Sequence, residues 1–121
     1  MLPKKLKYNK QVWAEISGDV ATLGLTDYGL KAAKELVFID LPKKGQPLKK
    51  GETFVSVESV KWSGHIESPI SGTVEDVNEE LFDDPAKVNK EPYKSWICKL
   101  KIADKNELND MLNAEEASKF E

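Results

Sequence analysis

The sequence predicts a mainly β domain with short helices at its edge, and three observations carry that prediction. Apolar and polar residues alternate with the period of a half-buried strand in segments 12–16, 53–58 and 96–102. Turn sequences rich in Gly and Pro, at 17–19, 42–45 and 47–51, separate the extended runs. Helical signals are confined to brief stretches, with the spacing of a reciprocated cap at Asp104/Glu107 and at Asn113/Glu116.

Taken in order, 6–8 and 12–16 read as strands, the second with Val12, Ala14 and Ile16 on one side. Gly18 supplies the unusual backbone angles of a tight turn, and 20–25 returns as the other arm of a hairpin. Thr26 then caps a helix over 27–35: its hydroxyl accepts from a free first-turn amide, and Asp27 complements the positive helix end. Tyr28, Ala32 and Leu36 lie on one face of that helix. Gly29 weakens it by up to about 1 kcal/mol relative to Ala, so packing must support it. The apolar run 36–41 is the best candidate for a central strand, closed by the turns at 42–45 and 47–51. A faint internal similarity places Pro47 and Gly51 before Val55 and Val57, and Pro69 and Gly72 before Val74 and Val77, which suits two similar halves packed face to face. Segment 79–85 gives one helical turn and 86–95 a polar loop. In 96–102, Trp96, Cys98, Leu100 and Ile102 fall on one side, so Cys98 reads as a buried small apolar residue rather than a reactive thiol. The two caps frame short helices at 105–112 and 114–120.

The 121 residues suffice for one domain, 1–121, around a single core. Charged residues make up 32% of the chain with mixed sign, a net charge of -3 and a pI near 5.3. Without a long basic block, nucleic acid and acidic membrane surfaces are disfavoured partners. The apolar runs are too short to span a bilayer and the N-terminus lacks a hydrophobic signal region, so a cytoplasmic location is expected. The single cysteine fits a reducing compartment. One His and one Cys cannot supply a His/Cys metal cluster, and no calcium-loop spacing is present. Nothing near His65 resembles a nucleophile motif.

The chain is organised around segment 51–77, where two extended runs flank a short polar break. Val55 and Val57 alternate against Thr53, Ser56 and Glu58; Ile66, Pro69, Gly72, Val74 and Val77 give a second run with a turn inside it. The hairpin of about 52–77 thus carries Lys61 at or near its tip, with the ammonium in solvent. Position alone would make that lysine an ordinary solvated charge. Val60-Lys61 contains no Gly or Asn, so turn chemistry by itself puts the tip at Ser63-Gly64.

Glu58-Ser59-Val60-Lys61, with Pro69-Ile70-Ser71-Gly72-Thr73-Val74 eight residues on, resembles the lipoylation site of the glycine cleavage system H protein family. The likeness runs from about Leu6 to Phe120: 18–28 is similar to the family's early hairpin and helix start, and 37–42 to its central strand. Asp84-Pro85, Val88-Asn89 and Pro92-Tyr93 resemble its late loop, and Glu107-Leu108 with Ala114-Glu115 its closing helices. The resemblance implies a barrel-sandwich hybrid, two small antiparallel sheets facing one another with the modified lysine on a protruding hairpin. It also implies lipoic acid joined as an amide to Lys61 by a lipoate ligase or lipoyl transferase, which removes the positive charge. Glu58, Ser59, Val60, Trp62 and His65 are then the candidates for recognising the arm or the ligase. Such an arm, roughly ten bonds long, reaches on the order of 14 Å from the backbone. One carrier without a catalytic group of its own could therefore visit separate active sites.

Departures from the family pattern bear on the pathway. The usual His-Glu-Trp reads Gln11-Val12-Trp13, and the Asp expected four residues after the lysine is His65. Those acids would attract a cationic aminomethyl-loaded arm; Val12 and a neutral His65 would not. Trp62 stands where Ala is common, either as a docking surface for the arm or a partner, or as an aromatic packed on its own hairpin. The usual Gly-x-Gly-Trp is Lys94-Ser95-Trp96. Two readings stay level: a carrier passing the aminomethyl group between glycine decarboxylase, aminomethyltransferase and dihydrolipoyl dehydrogenase, or a lipoate-binding protein carrying sulfur for a heterodisulfide-reductase-like oxidation system. A Schiff-base enzyme using Lys61 would need a desolvated lysine, which a hairpin tip in water does not offer. A biotin carrier usually has Met on both sides of its lysine, not Val60 and Trp62.

Overall fold

The computed structural model describes residues 3–30 and 35–120. Its strands are β1 (Lys7–Tyr8), β2 (Val12–Ser17), β3 (Val20–Leu25), β4 (Phe38–Asp40), β5 (Pro47–Leu48), β6 (Thr53–Glu58), β7 (Ser63–Glu67), β8 (Gly72–Val77) and β9 (Cys98–Ile102). They pair antiparallel in two sheets, one ordered β1-β2-β3-β9-β8-β5 and the other β4-β6-β7. Four short α-helices, α1 (Asp27–Leu30), α2 (Glu80–Asp83), α3 (Ala86–Lys90) and α4 (Ala114–Ala117), lie between and after the strands. The period-2 pattern explains the core, because one face of every long strand is apolar. Ala14, Leu23, Val74 and Leu100 from the larger sheet and Ile39, Val55, Val57 and Ile66 from the smaller belong to one buried cluster. This is a barrel-sandwich hybrid. A second, smaller cluster covers the opposite face of β2, where Trp13 packs with Leu6, Tyr8, Ala114 and Ala117.

Several expectations are corrected by this architecture. The apolar run 36–41 pairs only over Phe38–Asp40, and it forms the edge of its sheet while β6 takes the centre. Its exposed Val37 and Phe38 lie beyond the core, and Leu36 is buried with its N–H donated to Asn89 Oδ1 at 2.8 Å. The second run, 66–77, changes sheet at its internal turn: the chain leaves β7 in one sheet and enters the other as β8. At the crossover, Ser68 Oγ donates to the Ile70 carbonyl at 2.6 Å, and Glu107 accepts from Ser71 N–H at 2.8 Å and Ser71 Oγ at 3.1 Å. Glu107 is thereby drawn away from the expected cap: Asp104 accepts from Asn106 N–H at 3.0 Å and opens a 3-10 helix, Lys105–Asp110. Asn113 and Glu116 do make the reciprocal cap of α4, at 2.8 and 3.1 Å. The six- and three-stranded sheets are not two equal halves, although the two similar turn-strand units place β6 in one and β8 in the other.

The segment expected as a polar loop after Pro85 contains α3, whose Val88 is fully buried; Pro85 at the helix start has its φ preset near the helical value. Trp96 packs with the second cluster rather than sharing a side with Cys98 and Leu100, and its ring lies 5.3 Å from Lys99 Nζ. Thr26 caps α1 as expected, accepting from Gly29 N–H at 3.0 Å. The expected helix continued to Glu35, which is not helical, and Ala32 lies outside the described residues. Tyr28 is exposed, and the buried residues of α1 are Gly29 and Leu30. A Cβ on Gly29 would sit 2.7 Å from the Gln11 carbonyl oxygen, so glycine is required there for close approach of α1 to the start of β2. Helix propensity favours Gly29→Ala, yet the backbone contact opposes it. The variant should lose at least about 1 kcal/mol in urea unfolding, as overpacked sites do; stability equal to or above the parent would show that α1 moves freely.

Candidate functional site

β6 and β7 are joined by residues 59–62, with Glu58 opposite Ser63 at the last ladder position. Ser59 N–H donates to the Trp62 carbonyl at 2.8 Å, and Ser59 Oγ donates to the same oxygen at 3.4 Å. Val60 and Lys61 therefore occupy the corner. No described non-glycine residue has a positive φ, so the corner uses backbone angles open to any L-residue. The tip expected from turn chemistry, Ser63-Gly64, instead lies within β7.

Gly64 serves a different purpose. It faces Val57, a core residue, and a Cβ there would meet the Trp62 indole Cη2 at 2.4 Å. Trp62 thus folds under the hairpin on its inner face, where it packs against the core. It is an aromatic packed on its own hairpin. A tryptophan two residues before a glycine, on the same face of a strand, was a readable signal for this contact.

The outer face carries other side chains. Glu58 stands opposite Phe38 of β4 and Ser63 of β7, and Asp40, Ser56 and His65 form the next row across the three strands. Directly opposed residues share a face, so Glu58 and His65 lie on one surface and Trp62 on the other. His65 Nδ1 is 2.8 Å from Ser56 Oγ. Lys61 is exposed, and neither a hydrogen bond nor an ion pair engages its ammonium among the described residues. Val60, beside it, is 84% exposed. Ser59 closes the loop, and Val12 is fully buried in β2, where it contributes to the core rather than to any surface. Sequence reasoning did not single out Phe38 and Phe82, which pack edge to face at 6.3 Å beside this outer face.

The exposed amine meets the steric requirement for attaching a long acid as an amide. Being exposed, it stays in contact with water. The chain's only cysteine, Cys98, is buried in β9, and burial pushes its thiol up to about 12.

Comparison with known proteins gives one family. The family model described as Glycine cleavage H-protein matches residues 5–121. The chain is 42% identical over 121 residues to the glycine cleavage system H protein of Staphylococcus epidermidis, covering 98% of this chain and 96% of that protein. It is 40% identical over 117 residues to the same-named protein of Staphylococcus carnosus, covering 95% and 93%. The crystal structure of a glycine cleavage system H protein from Mycobacterium marinum superposes with a TM-score of 0.87 at 28% identity, covering 98% of this chain and 97% of that one.

Two outcomes test the site geometry. Gly64→Ala should displace the indole, raising acrylamide quenching of tryptophan fluorescence and lowering stability by about 1–3 kcal/mol; unchanged quenching would place Trp62 elsewhere. Cys98 should resist a thiol reagent at pH 8 in the native protein and react once denaturant exposes it. Its thiol is harder to ionise folded than unfolded, so its contribution to stability should be constant below about pH 9, the ordinary value, and fall as pH rises toward 12.

Proposed function

The chain belongs to the glycine cleavage H-protein family and is a lipoyl carrier of the glycine cleavage system, and from that premise we propose that Lys61 is the residue that carries lipoic acid. The observation that supports this is the placement at the corner of the β6–β7 hairpin of an exposed lysine amine that is unpaired among the described residues. Amide formation replaces the ammonium with a neutral linkage, and among the described residues no ion pair has to be broken for it. Lipoic acid held there by Lys61 would supply a dithiolane able to accept an aminomethyl group.

The chain's own part is to hold the anchor. The inner face of the hairpin is fixed by Val55, Val57 and Ile66 in the core and by Trp62 over Gly64, which keeps Lys61 projecting. Glu58 and His65 are the recognition residues on the outer face, and Ser59 holds the corner that presents Val60 and Lys61. We read residues 1–121 as a single carrier domain with no catalytic group, presenting the hairpin segment of about 52–77 in the cytoplasm. Among the described residues no helix is long and apolar enough to cross a membrane. Its partners are a lipoate ligase or lipoyl transferase, glycine decarboxylase, aminomethyltransferase and dihydrolipoyl dehydrogenase. Nothing in the comparisons supports the sulfur-oxidation alternative: the relatives named are glycine cleavage proteins. Two of the departures that favoured it, Val12 and Trp62, are packing residues.

Co-expression with a lipoate ligase should add the mass of one lipoyl group to the parent protein and none to Lys61→Ala. A lipoylated Lys61→Ala protein would refute the site. The lipoylated parent should support carbon dioxide release by a glycine decarboxylase, and the unmodified protein should not.

A further inference from the structure

Beside the hairpin lies a surface that the attachment of a cofactor does not explain. Val37 is 55% exposed, Phe38 44% and Phe82 62%, so each of these large apolar side chains meets water. Phe38 and Phe82 pack edge to face, and Val37 N–H donates to the Glu58 carbonyl at 2.8 Å, which ties the strand carrying Phe38 to the base of the Lys61 hairpin. Carboxylates border this surface. Asp40 and Glu58 share the outer face with Phe38, and Asp83 follows Phe82 in α2. None of these three carboxylates makes an ion pair among the described residues. Lys43 and Lys44 also border Phe82, and Lys44 is held by Asp76 at 3.5 Å.

Amide formation at Lys61 deepens the acidic balance of this face, because it removes the cation at the hairpin tip. An exposed aromatic pair whose rim sets Asp40, Glu58 and Asp83 against Lys43, with Lys44 held by Asp76, is net acidic and marks a protein-binding surface. Its complement is an apolar socket bordered by arginine or lysine. Resting on the carrier reading above, we propose that this face docks the glycine decarboxylase through such a socket, with Phe82 as the inserted anchor. An unloaded arm is uncharged and offers its enzyme no charge to hold, so recognition at that step falls to the carrier's own surface.

The test uses lipoylated full-length protein as the substrate varied in decarboxylase turnover. Phe82 and Asp83 are exposed, so Phe82→Ser and Asp83→Lys leave the core intact. Phe82→Ser should raise KM about tenfold with little change in kcat, the size expected for truncating an aromatic anchor. Asp83→Lys should raise it severalfold, and added salt should raise the parent's KM more than that of Asp83→Lys, since screening weakens only an attraction that is present. A second readout needs no arm: unmodified protein should inhibit competitively, and Phe82→Ser should weaken that inhibition by the same factor. KM and inhibition within twofold of the parent in both variants would overturn the docking face while leaving the carrier role intact. A parent dimer in light scattering that Phe82→Ser dissolves, with KM unchanged, would assign the patch to a second copy and overturn the proposal. Absence of turnover by the lipoylated parent would overturn the carrier reading and the docking face together.

Discussion

The burial of one face of the β6–β7 hairpin governs the rest. Val55, Val57 and Ile66 are each about 1% exposed, locked between the two sheets. Because side chains alternate along a strand, sealing that face commits the other to solvent. The same commitment fixes where the strands run out and the corner begins. A one-residue slip would bury Glu58 and expose the valines, so the placement of Lys61 is set by core packing rather than by anything at the tip.

That constraint also sorts the neighbours of the lysine into two groups. Trp62 is on the packed side and acts as a brace, while Glu58 and His65 are on the open side with Phe38 and Asp40. Substitutions that look equivalent in sequence, one on each side of Lys61, therefore have different consequences. On the packed side they are felt as stability, and on the open side they change the surface that meets solvent.

Much of this was legible in the residues. The alternation in 53–58 and 98–102, the Thr26 cap and the Asn113/Glu116 pair all reported local forces that the fold satisfies locally. The position of the lysine was legible as well, although the turn signal at Ser63-Gly64 competed with it. That signal failed because Gly64 answers to the bulk of an indole, not to backbone angle. Other misreadings share a cause: the deciding partner is distant in sequence. Glu107 leaves its local cap for Ser71, thirty-six residues away, and the run 36–41 yields the centre of its sheet to β6. Composition could not show that Phe38 and Phe82 would meet on the surface, since 44 residues separate them.

The corner at Val60 and Lys61 has one further consequence. As no residue there needs an unusual backbone angle, the turn does not select its own side chains, and identity at those two positions is released from the demands of folding. Chemistry and architecture are separable at this point: Lys61 can be exchanged, or its amine consumed, without the scaffold registering the event.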